Sequence, residues 1–317
     1  MDVSICIVNW NTKEYLLDCL KSISEKTTGL DYEVIVVDND SDDGTVEAVE
    51  SSNYPVVIIA PGENLGFSKG CNLGAEHASG EYIFFLNPDT VLVTNVVNGM
   101  YEWLRNNPHY GAVGCKLLND DGTIQYTCAT TYPSPREELV TLLMLHRIFP
   151  RSRVFHSRAL EYWDHSDSRE VDCLSGAAFM LPRDLFSSCG GFDAELFMYG
   201  EDVDLCYRIR KMGHRLFYLA EEAVMHFSGK SVENIPKANY AAVMQKNSNA
   251  KFFEKNFGSG KALLYRTAVF LGCSVRLAVL SLGYPAMHLL YRRLKDRLRF
   301  QMSRCMVLIK WSLGFHP

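Results

Sequence analysis

No Cys-x-x-Cys pair occurs among the ten cysteines of this 317-residue chain. Neither a zinc ribbon nor a redox motif is therefore indicated, and most of the thiols are expected to be buried small hydrophobes. Proline and glycine are modest, at 11 and 22 residues, which excludes collagen-like and low-complexity classes. No Gly-x-Gly-x-x-Gly follows the first apolar run, which counts against a dinucleotide oxidoreductase. Ser228-Gly-Lys-Ser231 looks like the end of a P-loop, but Val224 stands where the upstream glycine is required, and no strand-loop-helix frame fits. Internal repeats are absent. The opening Met-Asp-Val-Ser-Ile has no basic n-region of a signal peptide and runs straight into a strand-like segment, so a cytosolic catalytic body is expected.

Positive charge is also scarce over most of the chain. The formal net charge is −5, which argues against a nucleic-acid binder that depends on clustered Lys and Arg. The average conceals a split. Residues 261–317 carry ten Lys or Arg against one acid, Asp296, a net +9 that leaves −14 on residues 1–260. An acidic body with a basic, apolar tail suggests a soluble module held against an anionic membrane surface; the alternative is a basic helical appendage packed on the acidic body. Thr267–Leu290 has only Arg276 charged and is long enough to span a bilayer. Gly272, Gly283 and Pro285 interrupt it, and the basic amphipathic stretch 291–300 follows. This pattern favours interfacial or shallow insertion over a clean span.

With 47% hydrophobic and 22% charged residues the chain is globular in composition. Apolar runs at Val3–Asn9, Glu33–Asp38, Pro55–Ala60 and Tyr82–Leu86 alternate with helical spacing at Tyr15–Ile23, around Val46–Val49, and over 66–78. Fully apolar strands alternating with helices predict a mostly parallel α/β sheet covered on both faces. Beyond residue 115 the alternation fades. Thr123–Tyr132 reads as a strand leading into a Pro-rich turn, 136–170 as irregular, and Val171–Leu181 as a strand. Asp202–Met212 reads as a helix, Leu216–Tyr218 and Ala223–Phe227 as two short strands, and Pro236–Phe257 as a helix.

Such sheets bind ligands at the carboxyl ends of their strands, which here carry Asn9 to Asn11, Asp38 to Asp40 and Asn87 to Asp89. A carboxylate at Asp38 suits the N–H of a pyrimidine base or ribose hydroxyls, although an Asp there is as often a cap or turn residue. In Asn64-Leu-Gly-Phe-Ser-Lys-Gly-Cys-Asn72, Gly66 lets backbone approach a ligand and Asn64 flanks the helix start; a capped helix is the plainer reading. Asn87-Pro-Asp89 offers hard oxygen ligands for Mg²⁺ or Mn²⁺ bridging a diphosphate, with one charged ligand, so the substrate must complete the site. Glu201, Asp202 and Asp204 crowd the opening of a helix, where the dipole stabilises carboxylates and one of them could serve as general base. His226, ending Ala-Val-Met-His, either completes a metal site or is a structural histidine.

In this order, Ile-Val-Asn-Trp-Asn (7–11), Val-Val-Asp-Asn-Asp-Ser (36–41), Glu-Asn-Leu-Gly-Phe-Ser (63–68), Leu-Asn-Pro-Asp-Thr (86–90) and Phe-Met-Tyr-Gly-Glu-Asp-Val-Asp-Leu (197–205) closely resemble the family 2 glycosyltransferases. The likeness is strongest to the rhamnosyltransferase-like branch that acts on bacterial cell-surface glycans, and it covers residues 3–257. The resemblance implies a GT-A fold, a nucleoside-diphosphate-sugar donor, a divalent metal and inversion at the anomeric carbon. It implies donor binding by Asn9, Asn11, Asp38, Asn64, Gly66, Asn87 and Asp89, with Asp38 reading the base. Asp89 and His226 would hold metal, and Asp202 would act as base with Glu201 beside it. Asn87 stands where many relatives have Asp. The Gln-x-x-Arg-Trp signature of processive synthases is missing, so one sugar per acceptor is expected.

The implied division is a nucleotide-sugar half (1–115), an acceptor half (116–257) and a helical tail (258–317). The expected enzyme moves a sugar, first of all rhamnose from dTDP-rhamnose, otherwise one from a UDP-sugar. Its acceptor is a surface-glycan or lipid-linked molecule at the cytoplasmic face of the inner membrane. The competing expectations are a nucleotidyltransferase and an inactive nucleotide-sugar-binding scaffold.

Overall fold

The computed structural model describes residues 1–196, 199–227, 239–290 and 292–315. The Ser228–Ser231 motif, the start of the helix expected from Pro236, and Phe197 and Met198 of the fifth motif lie outside the described residues. The chain divides into two units: residues 1–132 with 164–235, and residues 133–163 with 236–317.

The first unit is built on a nine-stranded sheet of order β3-β2-β1-β4-β10-β6-β11-β5, with β8 on β11. Its parallel part comprises β1 (Val3–Asn9), β2 (Tyr32–Asp38), β3 (Val56–Ile59) and β4 (Tyr82–Leu86). Between β1 and β4 lie α1 (Lys13–Lys26), α2 (Thr45–Glu50) and α3 (Gly66–Glu76). β1 and β4 are buried at every residue, as their unbroken apolar runs require for strands covered on both faces. The α/β expectation holds.

The remaining strands are β5 (Thr90–Leu92), β6 (Tyr110–Leu118), β8 (Arg169–Val171), β10 (Ala178–Pro182) and β11 (Arg215–His226). β10 runs antiparallel between β4 and β6, and β11 runs parallel to β6 but antiparallel to β5. Between β5 and β6 lies α4 (Val96–Asn106), which buries Val96, Val97, Met100, Tyr101 and Leu104 on one face. Phe85 of β4 anchors the core against Phe179, Phe186 and Phe192, with ring centroids 5.4, 5.0 and 5.0 Å away.

Several segments differ from their sequence reading. Thr123–Tyr132 forms a 3₁₀ turn over Tyr126–Cys128 and the two-residue β7 (Ala129–Thr130), which pairs with β9 (Cys173–Leu174). The expected strand Val171–Leu181 is therefore three short ones, interrupted at Asp172 and at Ser175–Ala177. The two short strands near the end are one strand, β11, whose register against β6 shifts between Leu219 and Ala223. A bulge there lets Glu221 and Glu222 sit in an otherwise apolar strand. After β10 come α7 (Arg183–Ser188) and α8 (Glu201–Lys211).

The second unit is helical: α5 (Pro135–Leu142), α6 (Leu145–Ile148), α9 (Tyr240–Phe257), α10 (Ser259–Leu290) and α11 (Arg292–Ser312). α5 begins with Ser134 accepting from the Glu137 N–H and with Pro135 at its first turn, a built start for a segment read as irregular. Phe253, Tyr265, Val269, Leu308 and Trp311 share a core with Leu142. Gly272 is a contact rather than an interruption: a Cβ there would lie 2.8 Å from Leu142 Cβ. Inside this core Lys246 Nζ reaches Glu138 Oε1 at 2.7 Å and Oε2 at 2.8 Å, and Tyr265 donates to Oε2 at 3.1 Å. All ten cysteines are free thiols, nine of them buried and Cys189 half-buried.

Removing one member of a buried ion pair leaves a desolvated charge that costs about 3–5 kcal/mol, whereas removing both is far cheaper. Lys246→Met is expected to lower unfolding free energy by about that amount, and Glu138→Gln/Lys246→Met to recover most of it, as read by urea denaturation.

Candidate active site

At the carboxyl ends of β1 and β2 the expected donor residues bind one another. Asn9 Nδ2 donates to Asp38 Oδ1 at 2.8 Å, Ser41 Oγ to the same oxygen at 2.7 Å, and Ser41 N–H to Oδ2 at 3.0 Å. Asn11, at φ 53°, uses its Oδ1 to accept from the Asp42 N–H at 2.8 Å. Asp40, at φ 61°, completes the tight turn; Asn and Asp tolerate this left-handed region because their short side chains bond locally. Asn9 and Asp38 are both fully buried.

Asn64 is exposed and accepts from the Gly66 N–H at 2.9 Å, while the buried Gly66, at φ 76°, gives its carbonyl to Asn39 Nδ2 at 3.2 Å. Any side chain at 66 would be strained at that φ. Asn72, six residues on, bonds both backbone polar groups of Phe192, at 2.9 and 2.8 Å. Ser68 donates to the Leu196 carbonyl. α3 thereby ties down the segment that leads into α8.

Strand pairing joins the next group. The Asn87 N–H donates to the Ala177 carbonyl at 2.9 Å, and the Gly176 N–H donates to Asp202 Oδ2 at 3.2 Å. One peptide segment, 176–177, therefore stands between Asn87 and Asp202. β5 pairs Thr90 with His226, and the Phe227 N–H donates to the Asp89 carbonyl at 2.9 Å. This ladder brings the buried Asp89 to His226, with Oδ1 3.4 Å from Nε2, and Asn87 Nδ2 lies 3.2 Å from the same nitrogen. Gln125, which no motif singled out, contacts His226 through both ends of its amide, at 2.5 Å to the backbone carbonyl and 3.0 Å to Nδ1.

The three acids at the start of α8 have three environments. Asp204 is buried and pairs with Arg208 at 2.7 Å; that guanidinium also donates to the Gly191 carbonyl at 2.7 Å, holding the turn before the helix. Glu201 is buried with Oε2 lacking a hydrogen-bond partner. Burial, and then the charge of Asp202, push its carboxyl up to about 8. Asp202 is half-exposed.

The profile of glycosyl transferase family 2 matches residues 4–186. The chain belongs to this family. Among its relatives, the N-acetylglucosaminyl-diphospho-decaprenol L-rhamnosyltransferase of Mycobacterium tuberculosis is 30% identical over 227 residues, 66% of this chain and 71% of that protein. Rhamnosyltransferase WbbL of Escherichia coli K12 is 21% identical over 235 residues, 71% and 83% of the two chains. Among solved structures, the mannosyltransferase PcManGT of Pyrobaculum calidifontis, in complex with GDP-Man and Mn²⁺, superposes with a TM-score of 0.60 at 18% identity, covering 98% of this chain and 87% of that one. The family 2 glycosyltransferase thus has the GT-A fold that its five motifs implied, and the nucleotidyltransferase expectation is set aside.

For this glycosyltransferase the state of Glu201 has a measurable consequence. Its folded carboxyl holds a proton up to about pH 8, against an ordinary value of 4.5. Between those limits folding takes up a proton, so the group's contribution to unfolding free energy falls as pH rises, by at most about 1.4 kcal/mol per pH unit. Glu201→Gln is expected to flatten this decline between pH 5.5 and 8, seen in urea unfolding at a series of pH values; equal slopes in the two proteins would contradict it.

Proposed function

We propose that the chain is an inverting, non-processive rhamnosyltransferase that moves rhamnose from dTDP-rhamnose to a lipid-linked or surface-glycan acceptor at the cytoplasmic face of the inner membrane. The observation that carries this reading is the junction at 176–177, which links the Asn87–Asp89–His226 cluster to Asp202. It supports a reading in which the leaving group is held beside a base. Rhamnose as the sugar and a lipid-linked acceptor are supported by the activity for which the mycobacterial relative is named.

In this mechanism Asn9, Asn11, Asp38, Asn64 and Gly66 shape the nucleoside pocket, with Asp38 Oδ2 offering its remaining acceptor position to the base. Asp202 is the base because it alone of the three acids is half-exposed: Asp204 faces Arg208, and Glu201 is buried and protonated near neutrality. The acceptor oxygen bonds to the anomeric carbon as the bond to the diphosphate oxygen breaks. The hydroxyl proton passes to Asp202 and the nucleoside diphosphate leaves. A single displacement inverts the anomeric centre.

Asp89 and His226 fit a divalent cation. One carboxylate oxygen and one imidazole nitrogen 3.4 Å apart compare with about 3 Å between adjacent ligands of an octahedral ion with bonds of about 2.1 Å. Among the described residues no group of three His, Cys, Asp or Glu could hold a metal, so substrate oxygens must complete the shell. When bound, Mg²⁺ or Mn²⁺ supplies positive charge to the diphosphate oxygens. Imidazole in the donor set suits Mn²⁺ at least as well as the harder Mg²⁺.

The helical unit supports attachment to a membrane surface. Ser259–Leu282 is long and apolar enough to cross a bilayer, yet Tyr265, Val269 and Cys273 are buried in their own unit's core. The opposite face exposes Leu264, Leu271, Val275 and Leu282, positions that fall within one narrow stripe at 100° per residue. A helix packed on one side and apolar on the other suits insertion into one leaflet, with the basic tail facing anionic headgroups.

Asp202→Asn is expected to lower transfer by at least a hundredfold while the dissociation constant for dTDP-rhamnose changes less than threefold, measured by product formation and calorimetry; loss of donor binding would move Asp202 into the pocket. Leu264→Asp/Leu271→Asp/Val275→Asp is expected to abolish co-sedimentation with vesicles containing phosphatidylglycerol while leaving transfer to a soluble acceptor analogue unchanged. Unchanged sedimentation would remove this face from the membrane contact.

A further inference from the structure

Both ends of the Gln125 amide meet one residue. Its Nε2 donates to the His226 backbone carbonyl at 2.5 Å, which leaves Oε1 as the atom 3.0 Å from His226 Nδ1. An amide oxygen only accepts, so Nδ1 carries the ring proton and, in the neutral ring, the lone pair is on Nε2. That nitrogen accepts from Asn87 Nδ2 at 3.2 Å and faces Asp89 Oδ1 at 3.4 Å. The lone pair, met by the Asn87 amide, thus lies beside a carboxylate oxygen, and a cation that takes both would replace the Asn87 hydrogen bond.

The fold imposes the orientation of Gln125. Its N–H donates to the Leu117 carbonyl at 2.8 Å and its carbonyl accepts from the Cys128 N–H at 3.0 Å. Leu118 pairs with Met225, the neighbour of His226. The side chain is 9% exposed, so the amide is built into the site. The Asn87 amide obeys the same logic. It can donate to an unprotonated Nε2, whereas a carboxylate at 87 would set a second anion against the lone pair.

We propose that Gln125 is a positioning residue that holds His226 in its Nδ1–H tautomer, so that the Nε2 lone pair stands beside Asp89 as a ligand for the divalent cation of a nucleoside diphosphate. The inference rests on the proposed function, in which Asp89 and His226 hold that cation. Partners of this kind fix the tautomer and orientation of ligating histidines, and their loss costs about 10- to 100-fold in metal affinity. A Gln125 that served only the turn would not decide which ring nitrogen is bare.

The test reads the His226 ring nitrogens by ¹⁵N NMR in metal-free protein at pH 8.5. It also reads Mn²⁺ affinity by electron paramagnetic resonance with saturating dTDP, UDP or GDP. Wild-type protein is expected to show the Nδ1–H tautomer. Gln125→Leu is expected to shift the ring toward Nε2–H and to weaken Mn²⁺ about 10- to 100-fold. In a His226→Ala background the same change is expected to cost nothing further.

An unchanged tautomer in Gln125→Leu overturns the proposal, as does a loss that adds in full to that of His226→Ala. Wild-type protein that binds no Mn²⁺ with any of the three diphosphates overturns the metal reading of the site itself. The two failures are distinguishable because the NMR measurement needs neither metal nor donor.

Discussion

β4 is held by β1 in parallel on one flank and by β10 in antiparallel on the other, and this reversal determines which residues can meet. Parallel strands end together, so β1, β2 and β4 present Asn9, Asp38 and Asn87 along one edge of the sheet. An antiparallel neighbour begins at that edge. Residues 176–178 therefore arrive beside Asn87, and the Gly176 N–H is there to receive Asp202. Had β10 run the other way, its five residues would carry Gly176 to the far edge, about 17 Å off at 3.3 Å per residue. The antiparallel pairing of β5 with β11 does the same for Asp89 and His226. The cluster is thus a product of strand direction, with loops supplying only the last few ångströms.

Charge is managed at this edge by unequal treatment of like groups. Three carboxyls within four residues would repel if all were ionised and equally solvated. Burial keeps Glu201 protonated near neutrality, Arg208 balances Asp204, and Asp202 retains access to solvent. Environments that push neighbouring carboxyls apart leave one short segment with groups in different protonation states. The Asp38 carboxylate follows another course, its bonds to Asn9 and Ser41 stiffening the strand ends.

What could be read from the sequence follows the range of the physical signal. β1, β2, β3 and β4 were legible because apolar runs report burial on both faces locally, and the order of five motifs carried the GT-A fold. The direction of β10 leaves no local trace. β11 read as two strands because Glu221 and Glu222 break the apolar pattern at the register shift. α5 had a signal, Ser134-Pro135 followed by Glu137, that a search for hydrophobic period alone passes over. Asn87, Asp89 and His226 were legible as candidates, but their meeting was not, since the ladder spans more than 130 residues. Gln125 had nothing to mark it, because its partner lies 101 residues away and its chemistry is that of a neutral amide.

The distribution of thiols has a consequence for how this molecule ages. Nine cysteines sit inside the two cores and only Cys189 is half-buried, with its sulfur 3.3 Å from that of Met212. Burial raises the thiol pKa at Cys6, Cys19, Cys71 and Cys115, so in the folded chain these sulfurs are neither reachable nor nucleophilic. An oxidant must wait for the structure to open. Oxidation at these four sulfurs then depends on how often the first unit opens as well as on the oxidant, whereas Cys189 and the exposed Met212 can react in the folded chain.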